Sequence, residues 1–213
     1  ERYVKQHPSP LEPAIEARYR LATYSKKGGQ SARHLAWTRE LVEADRNGGR
    51  ERTDRTRYLG AISSLVLLEP QEEAYRQVRL VEPLKKNLKV KKVRMQALLD
   101  AYGRVSDYGV AEVVTAAAYR TAELYTDFSR ALINSQRPKG LSPDELEQYN
   151  VLLEEQAYPF EEKAIEVHEI NARRVSNGVY DQWVKNSFAA LSKLRPVRYA
   201  KAEKGEGAIR ALR

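Results

Sequence analysis

The sequence predicts an all-α protein, and three observations carry that expectation. Ala, Leu, Glu, Lys and Arg dominate a 213-residue chain that is 42% hydrophobic and 31% charged. That composition favours long helices over disorder. Apolar residues recur at helical spacing between Pro, Gly and Ser/Thr boundary signals. Sustained alternation of β-branched residues is missing, so almost no sheet is expected.

In chain order, residues 1–10, with Pro8 and Pro10, read as a leading linker. Residues 11–25 read as a first helix, with Ile15, Tyr19 and Ala22 along one side. Lys26, Lys27, Gly28 and Gly29 form a turn. Ser31–Asn47 is a second helix with Leu35, Leu41 and Val42 inward, stopped by Gly48 and Gly49. Thr53 caps a third helix through Tyr58, Ile62, Leu65 and Val66. Pro70 is expected to kink or end it, with a short helical piece over 71–78. Pro83 starts a long helix in which Leu84, Leu88, Lys91, Met95, Leu98, Tyr102 and Val105 keep near-heptad spacing. Gly109 breaks it. Residues 110–134 form an Ala-rich helix carrying Tyr119, Leu124, Tyr125 and Phe128.

The stretch 138–199 has the clearest punctuation. Ser142 is an N-cap, Pro143 sits at the first helical position, and Glu145 closes a capping box. Leu146, Tyr149, Leu152 and Leu153 follow at helical spacing. Pro159 is expected to interrupt this helix. A second run continues through Phe160, Ala164, Ile165, Val167 and Ala172, with Gly178 as its C′ residue. A third helix over 180–194 stops before Pro196. Leu152, Leu153, Phe160, Ile165 and Trp183 are expected to join the three as a core.

About eight helices joined by short turns suggest a degenerate tetratricopeptide-like α-solenoid. Leu21, Ala22, Tyr24, Gly28 and Ala32 approximate the first part of a repeat, although the tyrosine comes early. Ala118, Tyr119, Ala122, Leu124, Tyr125 and Ala131 resemble the first helix of another. Phe160 to Ala164 resemble the start of a second helix. An irregular helical bundle stays open as the alternative. The expected layout is a linker over 1–10, one helical domain over 11–199, and a basic tail over 200–213.

The formal net charge of +8 is unevenly spread. Lys85, Lys86, Lys89, Lys91, Lys92 and Arg94 form a basic block. Arg198, Lys201, Lys204, Arg210 and Arg213 make the tail basic. Between Asp144 and Glu169 stand nine acidic residues and one basic residue. Lys85, Lys89 and Lys92 share one helix face, as do Glu162, Glu166 and Glu169. These six are the candidate partner-binding residues, and the two stripes are expected not to face each other. Nucleic-acid or anionic-lipid binding would use the basic block. Against the nucleic-acid reading, the block lacks interleaved aromatics for base stacking. A solvated helix face is the plainer account.

No catalytic constellation is legible, and the chain is read as non-enzymatic, with no cofactor and no small-molecule substrate. It has no cysteine, so disulfides, thiolate metal sites and a cysteine nucleophile are excluded. His168 lies in sequence among Glu161, Glu162, Glu166 and Glu169. A di-iron bundle would want Glu-x-x-His, but Ile165 stands three residues before it. Ser63, Ser64 and Ser187 lack a nucleophile-elbow context. Gly28–Gly29 and Gly48–Gly49 are turns, not phosphate loops. Trp37, Trp183 and thirteen tyrosines could line a peptide groove, but core packing accounts for most such residues. The longest apolar run, residues 65–68, is far too short to span a bilayer. No Met opens the chain, so it reads as a mature or excised segment, with any signal peptide or lipid anchor outside it.

The phrases RPKGLSPDELEQYNVLLEEQAYPFEEKAIEVHEINARR and GVYDQWVKNSFAALSKLRPVRYAK, preceded by AAAYRTAELYTDFSRAL, resemble the C-terminal region of large bacterial tetratricopeptide-repeat proteins of the cell envelope. That family includes a gliding-motility component, and its relatives accompany proton-channel proteins of the Tol/Exb type. The resemblance covers about residues 110–200. It implies a periplasmic or outer-membrane-associated location and an adaptor role beside an energised motor, with envelope proteins as partners. It brings no catalytic residues.

Overall fold

In a computed structural model that describes Val4 and residues 9–200, side-chain caps set where three of the helices begin. The expectations for the rest of the leading linker, and for the tail from Lys201 on, lie outside the described residues. The helices are α1 (Leu11–Lys27), α2 (Ser31–Asn47), α3 (Asp54–Val66), α4 (Glu69–Arg76), α5 (Leu84–Ser106), α6 (Ala111–Ile133), α7 (Pro143–Ala172), α8 (Gln182–Leu194) and the short α9 (Pro196–Tyr199). No strand occurs among the described residues. Thr53 and Ser142 each close a capping box, with Thr56 and Glu145 respectively. The Asp181 carboxylate accepts from the Trp183 and Val184 amides, satisfying two donors that a helix start leaves free. Gly178, with φ at 77°, ends the chain's turn after α7 in the left-handed region.

Two prolines act differently from expectation. Pro159 does not interrupt: α7 runs through it as one 30-residue helix. Proline removes the hydrogen bond to the carbonyl four residues back. Here that residue is Glu155, which like Pro159 is exposed, so water can serve the freed carbonyl. Pro70 lies in the first turn of α4, where a missing N–H costs nothing. The short helix therefore begins at Glu69, before the proline rather than after it.

Each helix packs mainly on its neighbours in sequence. The α6–α7 interface is the largest, followed by α1–α2; α1 also touches α3, and α6 also touches α8. Leu11, Ile15, Leu41, Val42 and Leu59 form the core of the first three helices. Val4 is buried beside Ala22 and Trp37. The main core runs from Ala61 and Tyr75 through Met95, Leu98 and Tyr102 to Leu124, Phe128 and Ala157. Ile165, Ala172 and Leu191 join α7 to α8. Asp45, fully buried, is held by Arg52 through bonds of 3.1 and 2.9 Å. Gly60 makes room for it, because a Cβ there would stand 2.5 Å from its carboxylate oxygen.

The expected core of the last three helices is only partly realised. Ile165 is buried, Phe160 packs its ring 4.5 Å from that of Phe128, and Leu153 and Trp183 are half-buried. Leu152 is 56% exposed. Among the described residues the first half of α7 is packed on one side, and Leu146, Val151, Leu152 and Tyr158 are exposed.

Candidate functional site: a basic helix face on α5

The first sixteen residues of α5 contain six cations and no acid. Lys85, Lys86, Lys89 and Lys92 are exposed. None of the four makes an ion pair among the described residues. Lys85 and Lys86 stand in the first turn, where the helix dipole already presents positive charge; that turn has no acid of its own, although the Glu82 carboxylate just before it accepts from the Leu84 amide. The four lysines themselves are exposed and form a positive face.

Lys91 does not belong to that face. It is 3% exposed, and its ammonium donates to the Tyr75 and Val78 carbonyls at 3.2 Å each, 4.0 Å from the Tyr75 ring centroid. It thus caps the C-terminal end of α4, and burial pushes its pKa below the ordinary lysine value. Arg94 folds back similarly to the Ala74 carbonyl. Lys91 falls both in the near-heptad run and in the basic block, and the structure resolves the two: it is buried with the heptad residues rather than solvated with the other lysines.

The acidic stripe is largely engaged within the chain. Arg195 lies 3.2 Å from Glu162 and 3.5 Å from Glu169, while Arg198 lies 3.6 Å from Glu169. The Tyr199 hydroxyl also donates to Glu169 at 3.2 Å. Glu166 meets Lys163 at 2.8 Å. No ion pair among the described residues joins Lys85, Lys89 or Lys92 to Glu162, Glu166 or Glu169. The C-terminal arginines that cover this stripe are some thirty residues away in sequence, beyond any spacing rule.

His168 does not face its sequence neighbours. It is fully buried, with Nε2 3.6 Å from Glu123 Oε1 and Nδ1 3.3 Å from Ser187 Oγ. Asn171 donates to Ser187 at 2.9 Å and to the Thr115 carbonyl at 3.1 Å. The Thr115 hydroxyl donates to Asp181. This network ties α6, α7 and α8 together, and the imidazole holds the Glu123 carboxylate below its ordinary pKa. Ser187, His168 and Glu123 have the chemical order of a hydrolytic triad. Yet Ser187 and His168 have zero exposure, so no substrate carbonyl reaches the hydroxyl. Nothing at the sequence level pointed to Glu123, because its partner comes from a different helix.

Among the described residues no helix is long and apolar enough to cross a membrane. No protein-family model, no curated protein and no solved structure matches the chain.

Proposed function

We propose that this chain is a non-catalytic, tetratricopeptide-like α-solenoid scaffold that docks an acidic protein partner on the exposed face of α5. The observation that carries the reading is the set Lys85, Lys86, Lys89 and Lys92, exposed together and making no ion pair among the described residues. Packing of each helix chiefly on its sequence neighbours supports the solenoid arrangement. The resemblance of residues 110–200 to envelope tetratricopeptide-repeat proteins is what supports a location in the Gram-negative periplasm or at the outer membrane, with a Tol/Exb-type motor as neighbour. On such a face electrostatics set partner choice and encounter rate more than affinity.

The second reading is a nucleic-acid or anionic-surface binder using the same block, favoured by the net charge of +8. Retention of the chain on immobilised duplex DNA, on anionic vesicles and on an acidic helical peptide, each across a salt series, separates the readings. The scaffold reading expects the peptide to be held most strongly near physiological salt. Tight DNA binding with a steep logarithmic salt slope would overturn it, since release of condensed counterions has that signature.

A further inference from the structure

The outer side of α7 carries an apolar stripe that nothing among the described residues covers. Val151 and Tyr158 are 50% and 62% exposed, and Leu152 lies beside them. Glu147, Val151, Glu154, Glu155 and Tyr158 recur at helical spacing and so share one face. Between Pro143 and Glu162 the helix holds seven acidic residues and no basic one. Glu147, Glu154 and Glu155 are exposed and make no ion pair among the described residues. A face on which large apolar groups alternate with unanswered carboxylates fits an occupant that is apolar at its centre and basic around it.

The chain itself carries such a surface. On α5, Lys85, Lys89, Lys92 and Val93 share one face, and Val93 is 61% exposed. Val93 offers apolar contact, and the lysine stems add to it while their ammonium groups stay in water. Lys85 and Lys92 are seven residues apart, as are Glu147 and Glu154. That spacing is about 10 Å along a helix, so the two charge runs match in length. They do not meet within one chain. Helices α5 and α7 each pack on α6, and no ion pair among the described residues joins the two.

We infer that the outer face of the first half of α7 docks the α5 face of a second copy of this chain. The inference rests on the reading of α5 as a docking face for an acidic protein, and it names that protein. Val151, Leu152 and Tyr158 meet Val93 and the lysine stems at the centre, while Glu147, Glu154 and Glu155 meet the ammonium groups around it. Two unlike faces are joined, so the contact closes as a ring, two copies being the smallest, or runs on as a chain. Two short helix segments make a contact at the small, transient end of interface sizes. Association therefore grows with protein concentration, and screening of the exposed charges weakens it as salt rises.

The test is sedimentation velocity of the full chain over a concentration series, in low and in high salt, beside titration with the acidic helical peptide. The wild-type chain should associate as concentration rises, and less so in high salt. An α7 variant (Glu147→Lys, Glu154→Lys, Glu155→Lys) and an α5 variant (Lys85→Glu, Lys89→Glu, Lys92→Glu) should each associate at least about tenfold more weakly. An equimolar mixture of the two should recover association, because each reversed face then meets a reversed complement. The uncharged change Leu152→Ser with Tyr158→Ser, on an exposed surface, should weaken association at unchanged helicity. A wild-type chain that stays monomeric at every concentration yet binds the acidic peptide overturns this inference and leaves the α5 reading standing; the α7 face then belongs to the chain's own basic tail or to another protein. A chain that neither associates nor binds the peptide overturns both. Association that survives in both charge variants, or a mixture that fails to recover it, also overturns the α7–α5 contact.

Discussion

Lys91 and Glu123 show what one residue contributes when its neighbours come from elsewhere in the chain. Lys91 donates to the Tyr75 and Val78 carbonyls at and just beyond the end of α4, the first of which also accepts from the Val78 amide. Lys91→Met keeps the packing but removes both charge-assisted bonds, and should cost about 1–3 kcal/mol in urea unfolding. Lys89→Met, on the solvent side of the same helix, should stay within about 0.5 kcal/mol. For Glu123 the folded pKa is depressed below 4.5. A depressed carboxylate contributes stability above its unfolded pKa and loses it as pH falls through the folded value. Glu123→Gln should therefore destabilise the protein near neutrality, and the gap to wild type should close in acid. A gap that persists unchanged below the depressed pKa would show that packing, not charge, carries the difference. The heptad register contains Lys91, but its charge grouped it with the solvated lysines, so its burial had to come from the structure. The pairing of His168 with Glu123 was not legible either, because helical spacing relates residues within one helix and says nothing of which face a second helix presents.

At the scale of the element, α7 separates what punctuation can and cannot determine. Its start at Ser142 follows from a side chain and an amide three residues apart, so the capping box was readable directly. Its continuity through Pro159 was not, because proline breaks a helix only when nothing else holds it. Here the packing of Ala157, Phe160 and Ala164 against α6 spans the proline. The same one-sidedness explains why Leu152, apolar and in helical register, points outward. Phe160→Ala should cost about 2–4 kcal/mol, since its half-buried ring meets Phe128. Leu152→Ala should change stability by less than about 0.5 kcal/mol. Thermal melts with the order reversed would mean that the exposed face of α7 is covered in solution.

At the scale of the whole molecule, opposite charges are handled in opposite ways. Glu162 and Glu169 of α7 are answered by Arg195 and Arg198 just beyond α8, whereas Lys85, Lys86, Lys89 and Lys92 of α5 make no ion pair in the described residues. The all-α class followed from composition and period, both local properties. The order in which helices touch was legible only as a tendency of short connections. A cavity near Trp183, lined from α3, α4, α5, α6 and α8, needs five helices to form, and no window of sequence contains it. The most direct test of the scaffold reading is the affinity of an acidic helical peptide for the wild-type chain and for the combined variant Lys85→Glu, Lys89→Glu, Lys92→Glu, with circular dichroism on both. The account predicts a variant that melts within a few degrees of wild type and binds the peptide at least about tenfold more weakly. A variant that unfolds, or one that binds the peptide as well as wild type does, would contradict it.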